Sequence, residues 1–125
     1  PIMSSLAINL SPAEIEQLST YFAAQPAEPN SAFKADPQQR ALGEQLAKAG
    51  NCAACHGAEL QGQAMFPRLS GQGYDYLVKQ LNDFKSGKRT DATGSMAPVV
   101  AALSEQDISH LATYLASHQG ADNEQ

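Results

Sequence analysis

The sequence predicts an all-α chain, and three observations carry that expectation. Apolar residues recur at three- and four-residue spacing in four stretches of the 125-residue chain. Each stretch opens behind a capping residue or closes on a glycine. Nothing alternates apolar and polar residues for long enough to form a convincing strand.

The first stretch spans 11–25. Ser11 is placed as the N-cap, Pro12 suits the first helical position, and Glu14 at the third completes a capping box. Ile15, Leu18 and Phe22 then share a face. Residues 26–36 hold Pro26, Pro29, Asn30 and Ser31 and read as a linker. Asp36-Pro37 opens a second helix carrying Leu42 and Leu46, which stops at Gly50. Residues 51–73 are rich in glycine and turn, interrupted by one helical turn around Cys52–His56. A third helix is expected from Tyr74 to Ser86, with Leu77, Val78, Leu81 and Phe84 inward and Gly87 as its stop. Residues 87–98 read as a loop carrying Met96 and Pro98. The last helix begins behind Ser104 and buries Ile108, Leu111, Ala112 and Leu115. Residues 120–125 are expected to be a disordered tail.

Composition narrows what these helices can do. Apolar residues make up 42% of the chain, but 21 of them are alanine, and Leu, Ile, Val and Phe together number 23. That is a thin core for a self-sufficient domain, so something else is expected to complete it. No apolar run approaches the roughly 18–20 residues of a transmembrane helix. A net charge of −5 with eight Lys plus Arg argues against nonspecific nucleic-acid binding. Pro1–Ser5 lacks a basic region and an initiator methionine, and reads as a processed or excised end.

An internal repeat stands out. Residues 10–25, LSPAEIEQLSTYFAAQ, align without gaps on residues 103–118, LSEQDISHLATYLASH, with seven of sixteen positions identical. The same offset carries Met3 onto Met96. We read this as a duplication; convergent amphipathic patterning is the competing reading.

Chemistry resides in Cys52-Ala53-Ala54-Cys55-His56, the C-x-x-C-H pattern of covalent haem c attachment. On one helical turn, positions i, i+3 and i+4 share a face. Both sulfurs thus reach one porphyrin edge while the imidazole turns under the iron, and the intervening alanines leave room for the ring. A thioredoxin-like redox pair would need a βαβ context, which is missing. A zinc site would need a fourth ligand, with only His110 and His118 left over. A disulfide would leave His56 unexplained. With His56 on one side of the iron, Met96 is the candidate opposite ligand, stiffened by Pro98 two residues on. Its competing reading is core filler. Met65, nine residues after His56, is a poorer candidate. His110 and His118 read as surface residues.

From about Asp36 to His118 the chain resembles class I c-type cytochromes, most nearly the haem domains of the dihaem cytochrome c4 group and its single-haem relatives. The residues that carry the resemblance are CAACHG at 52–57, FPRLSGQ at 66–72, YLVKQLNDFKSGKR at 76–89, Met96 with Pro98, and LSEQDISHLATYL at 103–115. It implies a cytochrome c-like helical domain at 37–119 around one covalent haem c and its iron, with an extra N-terminal helix. Cys52 and Cys55 would form the thioethers, and His56 and Met96 would ligate iron. The Pro67 carbonyl would accept a hydrogen bond from His56. Arg68, Gln72, Tyr76, Gln80 and Arg89 are candidates for propionate contacts, with a solvated face or helix-end charge the competing reading for each.

The resemblance further implies a soluble electron carrier of the bacterial periplasm, not an enzyme, with redox protein partners such as a terminal oxidase and no nucleic acid. Two alternatives stay open: a relay domain excised from a larger multihaem oxidoreductase, and a haem sensor with a displaceable methionine. Residues 1–25 resemble the closing tail of a preceding haem domain whose own attachment motif is absent. The chain is then a fragment of a dihaem protein, or has kept the helix as an accessory, or docks it on a second haem domain or a second copy.

Overall fold

A computed structural model describes residues 2–120, and the expected tail lies outside the described residues except for Gly120. Seven helices follow in order: α1 (Ile2–Ala7), α2 (Pro12–Ala23), α3 (Pro37–Ala49), α4 (Cys52–His56), α5 (Tyr74–Ser86), α6 (Met96–Val100) and α7 (Glu105–Ser117). Among the described residues the only β feature is a single bridge between Gln63 and Phe66. Among the described residues no helix is long and apolar enough to cross a membrane.

The caps act where the sequence places them. Ser11 accepts from the Glu14 N–H and the Glu14 carboxylate accepts from the Ser11 N–H; Ser104 and Asp107 repeat the arrangement at α7. The Asp36 carboxylate accepts from the Gln38 and Gln39 N–H groups and opens α3. Two short helices were not expected. The segment before Ser11 forms α1, and Met96 begins α6 instead of lying in a loop. The likeness between the two segments therefore extends to geometry, since each is a short methionine-bearing helix followed by a capped amphipathic one.

The core forms where α3 and α5 cross α7, with α6 against α5 and α4 against α3. Ile108, Leu111, Ala112 and Leu115 of α7 meet Leu77, Leu81 and Phe84 of α5, and Val100 closes the cluster from α6. The α3–α7 crossing depends on Gly43, because a Cβ there would lie 2.0 Å from the His110 carbonyl oxygen and 2.7 Å from the Tyr114 Cβ. This close approach leaves neighbouring Leu42 on the exposed side of α3, while Leu46 packs against the core. His110 and His118 are both half-buried. His118 packs edge-on against Tyr114, and its Nδ1 accepts from the Gly120 N–H at 3.0 Å.

Helices α1 and α2 contact none of the others. The segment that follows them is held: Phe33 stacks on Tyr74 with ring centroids 5.4 Å apart, and the Asn30 amide donates to the Gln72 carbonyl.

Candidate functional site

Helix α4 is one turn long and begins after Asn51, whose left-handed backbone (φ 53°) turns the chain sharply out of α3. That turn puts Cys52 half-buried, Cys55 exposed and His56 buried at the first, fourth and fifth positions of one small element. Both thiols are free. Burial pushes the Cys52 thiol above the ordinary cysteine value.

The loop from 57 to 73 folds back under α4 and fixes the imidazole. Gly62 N–H donates to the His56 carbonyl at 2.7 Å, and the Gln63 side chain donates to the Cys55 carbonyl at 3.0 Å. Gly62 has φ 84°, and a Cβ there would meet the Arg68 backbone nitrogen at 2.7 Å, so this reversal accommodates only glycine. Leu69 and Ser70 N–H both donate to the buried Leu60 carbonyl, and Gly71 N–H donates to the Leu115 carbonyl, tying the loop to α7. Within this frame His56 Nδ1–H donates to the Pro67 carbonyl at 2.7 Å, with the Phe66 ring edge-on at 6.1 Å. The bond sets the tautomer and leaves Nε2 as the nitrogen with a lone pair to offer.

Met96 is half-buried and packs against the core from the first position of α6. Its backbone is held by a residue that sequence reasoning passed over. Asp91 Oδ2 accepts from the Met96 N–H at 3.0 Å, while Oδ1 accepts from the Thr93 N–H (3.0 Å), the Thr93 hydroxyl (2.6 Å) and the Ser95 N–H (3.1 Å). These bonds, the Thr93 hydroxyl first, hold the Asp91 carboxyl below the usual carboxylate range. The available signal was an aspartate opening D-A-T-G-S, an Asx-turn composition directly before the methionine. Met65 is exposed.

The five residues named for propionates do not form one group. Arg89 donates to Gln80 at 2.7 Å and lies over the Phe84 ring at 4.6 Å. Arg68 turns the other way, donating to the Ser70 and Gln119 carbonyls, and Gln72 donates to the Arg68 carbonyl. Tyr76 is exposed.

The donor set fits haem c. Two free thiols and an imidazole with one nitrogen committed lie on a single turn, and a thioether stands on a separately braced helix. Among the described residues no three His, Cys, Asp or Glu side chains gather as a conventional metal site, so His110 and His118 do not join the cysteines.

Comparison with known proteins agrees. A family model described as cytochrome c matches residues 40–119. Cytochrome c4 of Thiocapsa roseopersicina is 36% identical over 124 residues, covering 90% of this chain and 63% of that protein. The cbb3-type cytochrome c oxidase subunit CcoP of Rubrivivax gelatinosus is 38% identical over 111 residues, covering 87% of this chain and 34% of the subunit. Among solved structures, reduced recombinant cytochrome c4 from Pseudomonas stutzeri superposes with a TM-score of 0.82 at 33% identity, covering 94% of this chain and 66% of that one. The chain thus spans less than two thirds of the length of these curated relatives. Together with the C-x-x-C-H turn, the fixed imidazole and the helical frame, these matches show that the chain belongs to the cytochrome c family, whose members carry covalently attached haem c.

Proposed function

We propose that this chain is an electron-transfer unit in which Cys52 and Cys55 would hold one haem c and His56 and Met96 would ligate its iron. The observation that carries this reading is the His56 Nδ1–Pro67 bond, which commits one ring nitrogen and leaves Nε2 to a metal. The bound group would supply the one-electron Fe(II)/Fe(III) couple, and the protein does the rest. His56 is held by its loop in one ring orientation and one tautomer. The Met96 thioether favours the ferrous form and raises the potential. Arg89, restrained by Gln80 and Phe84, keeps a fixed positive charge beside α5.

On the same reading, residues 1–25 are the closing helices of a preceding haem unit, residues 26–36 a linker and residues 37–119 the working domain. Met3 is then the counterpart of Met96. The setting proposed is the bacterial periplasm, and the partners are redox proteins. The match to an oxidase subunit favours one second reading, a relay module within a larger oxidoreductase.

Carbon monoxide binding to the reduced protein tests the filled sixth position. The wild type should resist carbon monoxide and Met96→Ala should bind it rapidly. Equal, rapid binding by both would overturn methionine ligation.

A further inference from the structure

We propose that Asp91 is the positioning residue for the sixth ligand, a clamp whose carboxylate fixes the Met96 backbone and so sets how readily the thioether leaves iron. The proposal rests on the reading of Met96 as ligand and goes beyond it by locating the control of that bond.

The geometry is specific. Helix α6 is only five residues long, and the side chain of Ser95, at its cap position, makes no capping hydrogen bond to the helix. Asp91 does that work from five residues upstream, one oxygen on the Met96 N–H and the other gathering Thr93 and Ser95. The Thr93 hydroxyl donates to Asp91 and accepts from the Ser95 hydroxyl at 2.7 Å, so the turn is internally braced. Gly94, at φ 67°, lets the chain reverse inside it, with its N–H on the Asp91 carbonyl at 3.1 Å. At the other end of α6, Val100 is 1% exposed in the core. Met96 is therefore held between a polar anchor and an apolar one. Releasing the polar anchor frees the end of the helix that bears the ligand and leaves the core untouched.

The two oxygens have separate duties, which makes the clamp separable by mutation. Asp91→Asn can keep Oδ1 as an acceptor for Thr93 and Ser95, but then sets an amide N–H against the Met96 N–H. Asp91→Ala removes the contacts of both oxygens. Thr93→Ala removes one brace and leaves the Met96 contact in place.

The test is imidazole binding to the ferric, haem-loaded protein, read together with the far-red band that sulfur ligation gives ferric haem c. Loss of a hydrogen bond to a charged acceptor corresponds to about ten- to a hundredfold in an equilibrium. Asp91→Ala should bind imidazole tighter by about that factor, Asp91→Asn by less, and Thr93→Ala least. Ser104→Ala serves as a control, because it weakens α7 and general stability without touching the ligand turn. Wild-type imidazole affinity in both Asp91 variants, or an equal shift in Ser104→Ala, would overturn the proposal. Should Asp91→Ala fail to load haem, Asp91→Asn carries the test alone. If the wild type lacks the far-red band and Met96→Ala leaves its spectrum unchanged, the ligand assignment has failed instead. A wild-type band abolished by Met96→Ala but insensitive to Asp91 refutes only the clamp.

Discussion

Helices α2 and α7 share a sequence pattern and differ in almost everything that happens to it. Ile108, Leu111 and Leu115 of α7 are 0%, 4% and 2% exposed; their counterparts Ile15, Leu18 and Phe22 of α2 are 50%, 42% and 66% exposed. Both helices begin with a complete capping box and follow a short methionine-bearing helix. Local chemistry is therefore equal, and burial is decided by whether other helices lie across the apolar face. A 12-residue helix has little stability of its own in water. The pattern in α2 thus records a requirement for packing that α3 and α5 meet for α7.

The comparison can be broken most sharply at Gly43. Gly43→Ala places a methyl against the backbone of α7, and the crossing cannot open without disturbing Tyr114 and the core beneath it. A loss of about 3 kcal/mol or more is expected, seen as a large fall in the thermal midpoint. Near-normal stability would mean that the crossing is not the fold's keystone.

A paired substitution at the two isoleucines comes next in size. Ile108→Ala should cost about 2–4 kcal/mol in chemical denaturation. Ile15→Ala should change stability by no more than about 0.5 kcal/mol, because the side chain is half exposed and α2 contacts no other helix. Equal costs would show that α2 belongs to the same cooperative unit as α7.

The smallest effect concerns the histidine that closes α7, which has no counterpart after α2. His118 aligns with Gln25. Burial lowers the His118 pKa, outweighing the opposite pull of Glu59 3.8 Å away, and a neutral Nδ1 is what accepts from Gly120. The unfolded chain therefore binds the proton more readily than the folded one. The stabilisation from neutral His118 is complete above the ordinary histidine value of about 6.5 and is lost as pH falls from there through the lowered folded value. His118→Gln, which places the aligned residue Gln25 at the end of α7, should flatten that part of the stability–pH curve. An unchanged slope would assign it to other groups.

How far the sequence could be read follows from the range of the interactions involved. Caps, helix faces and the C-x-x-C-H turn depend on residues within four positions of each other, and all were visible. Helix α6 was not, because its cap lies outside it in Asp91 and its third residue is Pro98. Leu42 was visible as an apolar residue, but its exposure is set by the glycine beside it and by a carbonyl 68 positions away. The half-burial of His118 depends on Tyr114, Glu59 and Gly120 converging at the end of α7. The thin core has the same kind of explanation. Its aliphatic shortage was legible in the composition, and a porphyrin held by Cys52 and Cys55 would supply the missing apolar surface.

The absorption spectrum of the oxidised, haem-loaded protein tests the central claim most directly. The account predicts the weak far-red band of sulfur-ligated ferric haem c in the wild type, with its loss in Met96→Ala and its retention in Met3→Ala and Met65→Ala. A wild-type spectrum without that band, or one that Met96→Ala leaves unchanged, would contradict it.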